Sequence, residues 1–224
     1  MPAKNEDLHG FVPDKASVVL LLIDVINDLE FEDGEKLLRY ALPMAEKIAA
    51  LKKRCKQSGI PVIYANDNFG RWQSDFNKIL AHCLEDVRGR PIVELLRPDD
   101  DDYFVLKPKH SGFFSTTLDT LLDYLQAKTL ILTGVAANIC VLFTANDAYM
   151  RDFNLVIPAD CVASNTEEEN THALELMEKV LKADTTLSDK LNLDELKQRA
   201  AREPVAENPQ TETPQFAKEA KIQN

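Results

Sequence analysis

The sequence predicts an α/β fold, a doubly wound (Rossmann-like), mainly parallel six-stranded sheet with helices on both faces. Three observations predict it. Val18–Ile23 and Thr129–Thr133 are apolar runs rich in branched residues, the pattern of strands buried on both faces. Strand-like and helix-like stretches alternate along the chain, which requires right-handed crossovers between parallel strands. A chain of 224 residues with 45% apolar content can bury one substantial core.

The elements follow in order. After the Val18 strand a polar loop runs to Gly34, and Gly34 to Tyr40 reads as a short helix. Pro43 suits the first turn of a second helix, which Gly59 closes. Pro61 to Ala65 is the second strand, Ser74 to Leu84 an amphipathic helix, and Ile92 to Leu95 a short extra strand. Tyr103 to Leu106 is the next strand, and Thr117 to Leu125 is helical. The Thr129 strand ends at Gly134, and the periodic run after Asn138 begins a helix. Leu155 to Ile157 gives a fifth strand. Thr166 before Glu167-Glu168-Glu169 is a capped, acid-rich helix start. Thr185 to Leu187 reads as a sixth, edge strand, with a final helix from Asp189. Residues 1–202 form one domain. From Glu203 to Asn224, Pro, Glu, Gln, Thr and Lys replace the apolar periodicity, so this tail is expected to be disordered.

Chemistry gathers at strand ends. Asp24 follows the first strand at once, Lys107 follows the Tyr103 strand, and Cys140 falls in the first helical turn after the Thr129 strand. In open parallel sheets those ends share one edge, and ligands bind in the crevice there. A helix N-terminus favours thiolate over thiol. A carboxylate to take a thiol proton and an ammonium to hold a thiolate are what a hydrolytic cysteine needs. Each residue alone has a plainer reading: Asp24 as a helix cap, Lys107 as half of an ion pair, Cys140 as packing. Cys55, Cys83 and Cys161 read as packing, and no pair has CxxC spacing, so neither a redox motif nor a zinc ribbon is expected.

Asp24 with Asn27-Asp28, then Lys107-Pro-Lys-His-Ser-Gly-Phe113, then Gly134-Val-Ala-Ala-Asn-Ile-Cys140-Val141, resembles the isochorismatase-like cysteine hydrolase superfamily. The resemblance runs from Ser17 to Leu187. It is specific, because three motifs occur in order at the right strand ends. The superfamily includes nicotinamidases, carbamoylsarcosine and ureidoacrylate amidohydrolases, biuret hydrolases and isochorismatases. The resemblance implies that Cys140 is the nucleophile, Asp24 the general acid and base, and Lys107 the group that holds the thiolate and orients Asp24. It also implies a cis peptide at Val135-Ala136 and an oxyanion hole from the Ala136 and Cys140 amides. The expected reaction is hydrolysis of a C–N bond in a small amide, imide or ureido compound through a thioester. The alternatives are vinyl ether or ester hydrolysis of the isochorismatase type, or a catalytically silent relative that binds a small molecule or serves as a scaffold. The superfamily also implies a homo-oligomer.

The chain departs from nicotinamidases in the loop after the second strand. Those enzymes hold a metal there with an Asp and nearby histidines. Here Asp67 is near that position, but the first following histidine is His82, in a helical stretch. A zinc-like site needs three or four convergent ligands, so no metal and no cofactor are expected. The same loop offers Asn66, Asn68, Phe69 and Trp72 as substrate-binding residues, amides and aromatic surface suited to a small planar compound. Packing beneath the loop is the alternative for Phe69 and Trp72. Phe113 is a further candidate wall. His110 lies near Lys107 and reads as a surface residue, with a place at the pocket edge as the alternative. Asp99 to Asp102 lacks the Gly and terminal Glu of a calcium loop and reads as a solvated turn.

A net charge of −11 argues against nucleic acid and anionic membranes as partners. No segment approaches the ~20 apolar residues that span a bilayer. Met1-Pro-Ala-Lys-Asn-Glu-Asp7 is too polar for a signal peptide, and four scattered cysteines suit a reducing cytoplasm.

Overall fold

The computed structural model describes residues 15–70 and 75–202. Six parallel strands form one sheet: β1 Val18–Ile23, β2 Val62–Asp67, β3 Tyr103–Lys107, β4 Thr129–Val135, β5 Asn154–Val156 and β6 Val162–Ala163. Their order is β3-β2-β1-β4-β5, and β6 pairs with the far end of β4, at Gly134 and Val135. Direction along the sheet reverses between β1 and β4. The carboxyl ends at such a switch point open into a crevice.

The helices are α1 Gly34–Gln57, α2 Phe76–Cys83, α3 Arg90–Leu95, α4 Leu118–Leu125, α5 Leu142–Tyr149, α6 Glu167–Leu181 and α7 Leu193–Arg202. Strand alternation divides them between two faces. Val18, Leu20 and Leu22 of β1 join one apolar cluster with Leu37, Met44, Ile48 and Leu51 of α1 and with residues of α2, α3 and α7. Val19, Leu21 and Ile23 join the other with Leu118 and Leu122 of α4, Ala145 of α5 and Met177 of α6. Every residue of β1 and β4 is buried, which is why both read as continuous apolar runs. Burying one such Leu or Ile contributes about 1.5–3 kcal/mol. No helix among the described residues is long and apolar enough to cross a membrane.

Four elements differ from expectation. Gly34 to Gln57 is one helix, with Pro43 inside it. The buried stripe Leu37, Ala41, Met44, Ala45, Ile48, Leu51 and Cys55 continues on both sides of the proline, and its burial outweighs the one backbone bond that proline removes. The extra strand expected at Ile92–Leu95 is instead part of α3, started by Pro91 in its first turn. So short an apolar run fits either element. The sixth strand is Val162–Ala163, not Thr185–Leu187; the latter stretch contributes only loop beside a single bridge from Val156 to Asp184. The last helix begins at Leu193, after a 3₁₀ turn at Ser188–Lys190. Residues 203–224, expected to be a disordered tail, lie outside the described residues.

Asp99 to Asp101 are exposed, as expected of a solvated turn, but the Asp102 side chain is withdrawn from solvent. It pairs with Lys52 at 2.6 Å and Lys56 at 3.0 Å, and Asp99 pairs with the same two lysines. Lys52 is itself buried and also donates to the Tyr64 hydroxyl and the Arg97 carbonyl. The lysines are on α1, 43 to 50 positions away, so the sequence around the aspartates does not contain the reason. Asp99, Asp101 and Asp102 are the one acidic group among the described residues close enough to share a cation, and lysine ammoniums already hold it.

Candidate active site

Three strand ends place three side chains together. Asp24 is the residue after β1, and its φ of +52° bends the chain away from the sheet. Aspartate is among the few non-glycine residues that tolerate that region. Its amide donates to the Ala65 carbonyl, so β2 still holds the turn. Lys107 ends β3 and is fully buried. Cys140 lies in a π-helical turn, Ala137–Val141, that leads from β4 into α5. Gly134 makes the approach possible: its φ is +114°, and a Cβ there would lie 2.0 Å from the Ile23 carbonyl oxygen of the neighbouring strand. The Val135-Ala136 peptide is cis.

The Lys107 ammonium joins the group. Its Nζ is 2.7 Å from Asp24 Oδ2 and 3.5 Å from Cys140 Sγ, and it donates to the Lys109 carbonyl at 3.2 Å. Three donors thus meet three acceptors, as a buried ammonium requires. Asp67 stands 3.8 Å away as a second carboxylate. Asp24 accepts from the Asp67 backbone amide at 2.7 Å through Oδ1.

These contacts fix the resting protons. Burial and then the Asp24 charge push the Cys140 thiol up to about 12, against the pull of Lys107. The pull of the ammonium toward thiolate is thus opposed by burial and by the Asp24 charge. Burial also raises Asp24 above the usual carboxylate range, although Lys107 and the hydrogen bonds pull it down. Burial alone would lower Lys107, but Asp24, Cys140 and Asp67 outweigh it and raise the ammonium. Burial and Asp24 thus favour a neutral thiol, while Asp24, Cys140 and Asp67 favour a charged Lys107.

The isochorismatase domain family model matches residues 18–189. The chain belongs to the isochorismatase family. It is 46% identical to an uncharacterized isochorismatase family protein, YaaI, of Bacillus subtilis, over 79% of this chain and 97% of that one. It is 27% identical to the ureidoacrylate amidohydrolase RutB of Methylorubrum extorquens, over 71% of this chain and 74% of that one. Among solved structures, nicotinamidase PncA from Bacillus subtilis matches with a TM-score of 0.60 at 27% identity, covering 76% of this chain and 99% of that one.

Around the three central residues, the isochorismatase-like domain uses several predicted residues differently from expectation. Asn66 was expected to face substrate. Its Oδ1 accepts from the Ile26 amide at 3.1 Å, and its Nδ2 donates to the Ile26 and Asp67 carbonyls. Both amide hydrogens are engaged, so Asn66 ties the loop after Asp24 to β2. Asn68 is also buried, and its Oδ1 accepts from the Gly70 amide within the loop. Phe69 is 40% exposed with φ of +52°. Its backbone amide is held by Asp67 Oδ1 at 2.6 Å. Trp72 lies outside the described residues. Phe113, the expected further wall, instead enters the core: it is buried beside Phe153, with the Arg151 guanidinium 4.7 Å over its ring. It follows Gly112, where an added Cβ would meet Leu118 at 3.1 Å.

Sequence reading missed three contributors. Asp67, weighed only as a metal ligand, holds Asp24 through its backbone. Thr144 on α5 donates to the Cys140 carbonyl at 2.7 Å and accepts from the Gly112 amide at 3.0 Å. Ser164, fully buried, donates to Asn138 Oδ1 at 3.0 Å and accepts from the Asn138 amide, bracing the turn before Cys140. Thr144 was findable, since it lies four residues after Cys140 on the same helix face. Ser164 carried no local signal.

Proposed function

We propose that this protein is a cysteine hydrolase that cleaves the C–N bond of a small amide, imide or ureido compound through a thioester. The observation that carries the reading is the Lys107 ammonium bridging Asp24 at 2.7 Å and Cys140 at 3.5 Å at one sheet edge. The likeness to an amidohydrolase acting on ureidoacrylate and to a nicotinamidase favours nitrogen as the leaving atom.

The steps follow from the proton positions. Cys140 passes its proton to Asp24, which burial has made more basic than a surface carboxylate. The sulfur, held by Lys107, attacks the substrate carbonyl carbon. The oxyanion that forms is taken by the Ala136 and Cys140 amides, donors that act where charge develops. Asp24 returns the proton to the leaving nitrogen, the C–N bond breaks, and ammonia or an amine departs. Asp24 then takes a proton from water, whose oxygen attacks the thioester. The C–S bond breaks and the sulfur regains its proton. Every step moves one proton between Asp24 and sulfur, nitrogen or oxygen, so no cofactor is required.

A panel of small amides, imides and ureido compounds assayed for ammonia release tests the reading. Cys140→Ala is expected to abolish release and Asp24→Asn nearly to abolish it. Release that survives in Cys140→Ala overturns the proposal.

A further inference from the structure

The outer side of the Cys140 sulfur has a second nitrogen neighbour. His110 Nδ1 lies 3.8 Å from Sγ. The imidazole is exposed and leans on Phe143 of α5, with ring centroids 5.5 Å apart. The loop that carries it is fastened to α5, the helix that follows the turn carrying the thiol. Ser111 Oγ donates to Asp147, and Gly112 donates to Thr144 Oγ1, which in turn donates to the Cys140 carbonyl. Thr144 and Asp147, three residues apart, share one face of α5 and hold this loop beside the turn that carries Cys140. Nucleophile and imidazole are thus held in one frame.

Proton counting sets the direction of the contact. The thiol has one proton, and the proposed mechanism gives it to Asp24. Sulfur therefore has no proton to offer His110 and can only accept from it. We propose that His110 is a further catalytic residue, whose Nδ1–H donates to the Cys140 sulfur and stabilises the thiolate formed when Asp24 takes the thiol proton. The proposal rests on Cys140 being the nucleophile. One S–H bond breaks, one O–H bond forms on Asp24, and the Nδ1–H bond remains intact. Sulfur then has two N–H donors, Lys107 at 3.5 Å and His110 at 3.8 Å. Hydrogen bonds to an ionised partner are about twice as strong as neutral ones. The His110 contact is therefore worth more to the thiolate than to the resting thiol, as a catalytic interaction must be.

The tautomer is directly observable. Long-range ¹⁵N–¹H NMR of the full chain at alkaline pH is expected to show His110 as the Nδ1–H form in the wild type and a shift toward Nε2–H in Cys140→Ala. A wild-type Nε2–H tautomer overturns the proposal. In parallel, His110→Ala is expected to slow iodoacetamide alkylation of Cys140 about tenfold, equivalent to one unit in the thiol pKa. His110→Asn, which places a side-chain N–H near the position of Nδ1–H, is expected to restore most of the rate. An Ala variant alkylated at the wild-type rate, or an Asn variant as slow as Ala, counts against it. The two readings fail separately. Ammonia release that persists in Cys140→Ala removes the nucleophile, whereas an Nε2–H tautomer with release still dependent on Cys140 removes only the role of His110.

Discussion

Replacing Lys107 with Met removes the ammonium that joins three strand ends while keeping most of the side-chain volume. Lys107 is fully buried and the Asp24 side chain is 7% exposed. In the variant the Asp24 carboxylate loses its ammonium partner and keeps the Asp67 amide as a donor. Breaking a buried ion pair by removing one partner costs about 3–5 kcal/mol. At about 2–4 °C per kcal/mol for a chain of this size, the melting temperature should fall by about 6–20 °C. The loss should also depend on pH. Burial already holds Asp24 above its ordinary value, and Lys107 is the largest opposing influence, so removing Lys107 raises it further. A carboxyl raised on folding binds its proton more tightly when folded. The stability this contributes is present at low pH and lost as pH rises through the folded pKa. The deficit relative to wild type should therefore be largest at neutral pH and narrow as the solution is acidified. Combining it with Asp24→Asn, which removes the orphaned charge, should recover part of the loss. Urea unfolding followed by circular dichroism at several pH values measures all three. A single variant within about 1 kcal/mol of wild type at neutral pH would refute the reasoning, given the cost expected for an orphaned buried charge. A gap that does not narrow on acidification would refute it too.

Other outcomes follow from the same geometry. Because Asp24 must be ionised to accept the thiol proton, kcat/KM should fall on acidification through a pKa above the ordinary 3.8, as burial dictates; a pH–rate profile with its acid limb at or below that value contradicts this. Asn66→Leu should cost about 1–3 kcal/mol for each Ile26 backbone group it orphans, measured by urea unfolding, and a neutral result would mean that the loop is held elsewhere. Gly134→Ala should cost about 3 kcal/mol or more, or prevent folding, because its Cβ meets the Ile23 carbonyl and its φ is positive; a thermal melt matching wild type would refute the close approach. Thr144→Val should keep the fold and lower kcat more than it raises KM, since it loosens Cys140 and the Gly112 loop together.

The parts of the fold that sequence made legible are those with a strong local pattern. The runs at Val18–Ile23 and Thr129–Thr133 are buried on both faces, so every residue reports burial, and the chemical residues follow the strands directly. Asp24, Lys107 and Cys140 could thus be brought together on topology alone. Where the deciding partner is remote, the pattern is silent or misleading. Pro43 resembled a helix start because nothing local shows that the Leu37 and Ile48 stripes pack on one sheet face. Ile92–Leu95 was too short to distinguish strand from helix. Asp102 resembled solvated charge because Lys52 and Lys56 lie on another element. Asn66 and Phe113 have the right chemistry for a pocket, but their orientations are set by the Ile26 backbone and the core beside Phe153. The thiol pKa also escaped sequence reasoning. Helix position and a nearby lysine favour thiolate, and the burial and Asp24 charge that oppose them appear only in three dimensions.

The central claim is that Cys140 becomes acylated during turnover. Acid quench of the wild-type protein within the first turnovers of a productive amide, followed by peptide mass spectrometry, tests it directly. The account predicts an acyl mass on the peptide containing Cys140, gone after alkaline hydroxylamine, with no adduct on Cys55, Cys83 or Cys161 and neither adduct nor ammonia release in Cys140→Ala. Sustained ammonia release from Cys140→Ala, with no adduct on the wild-type cysteine, would contradict it.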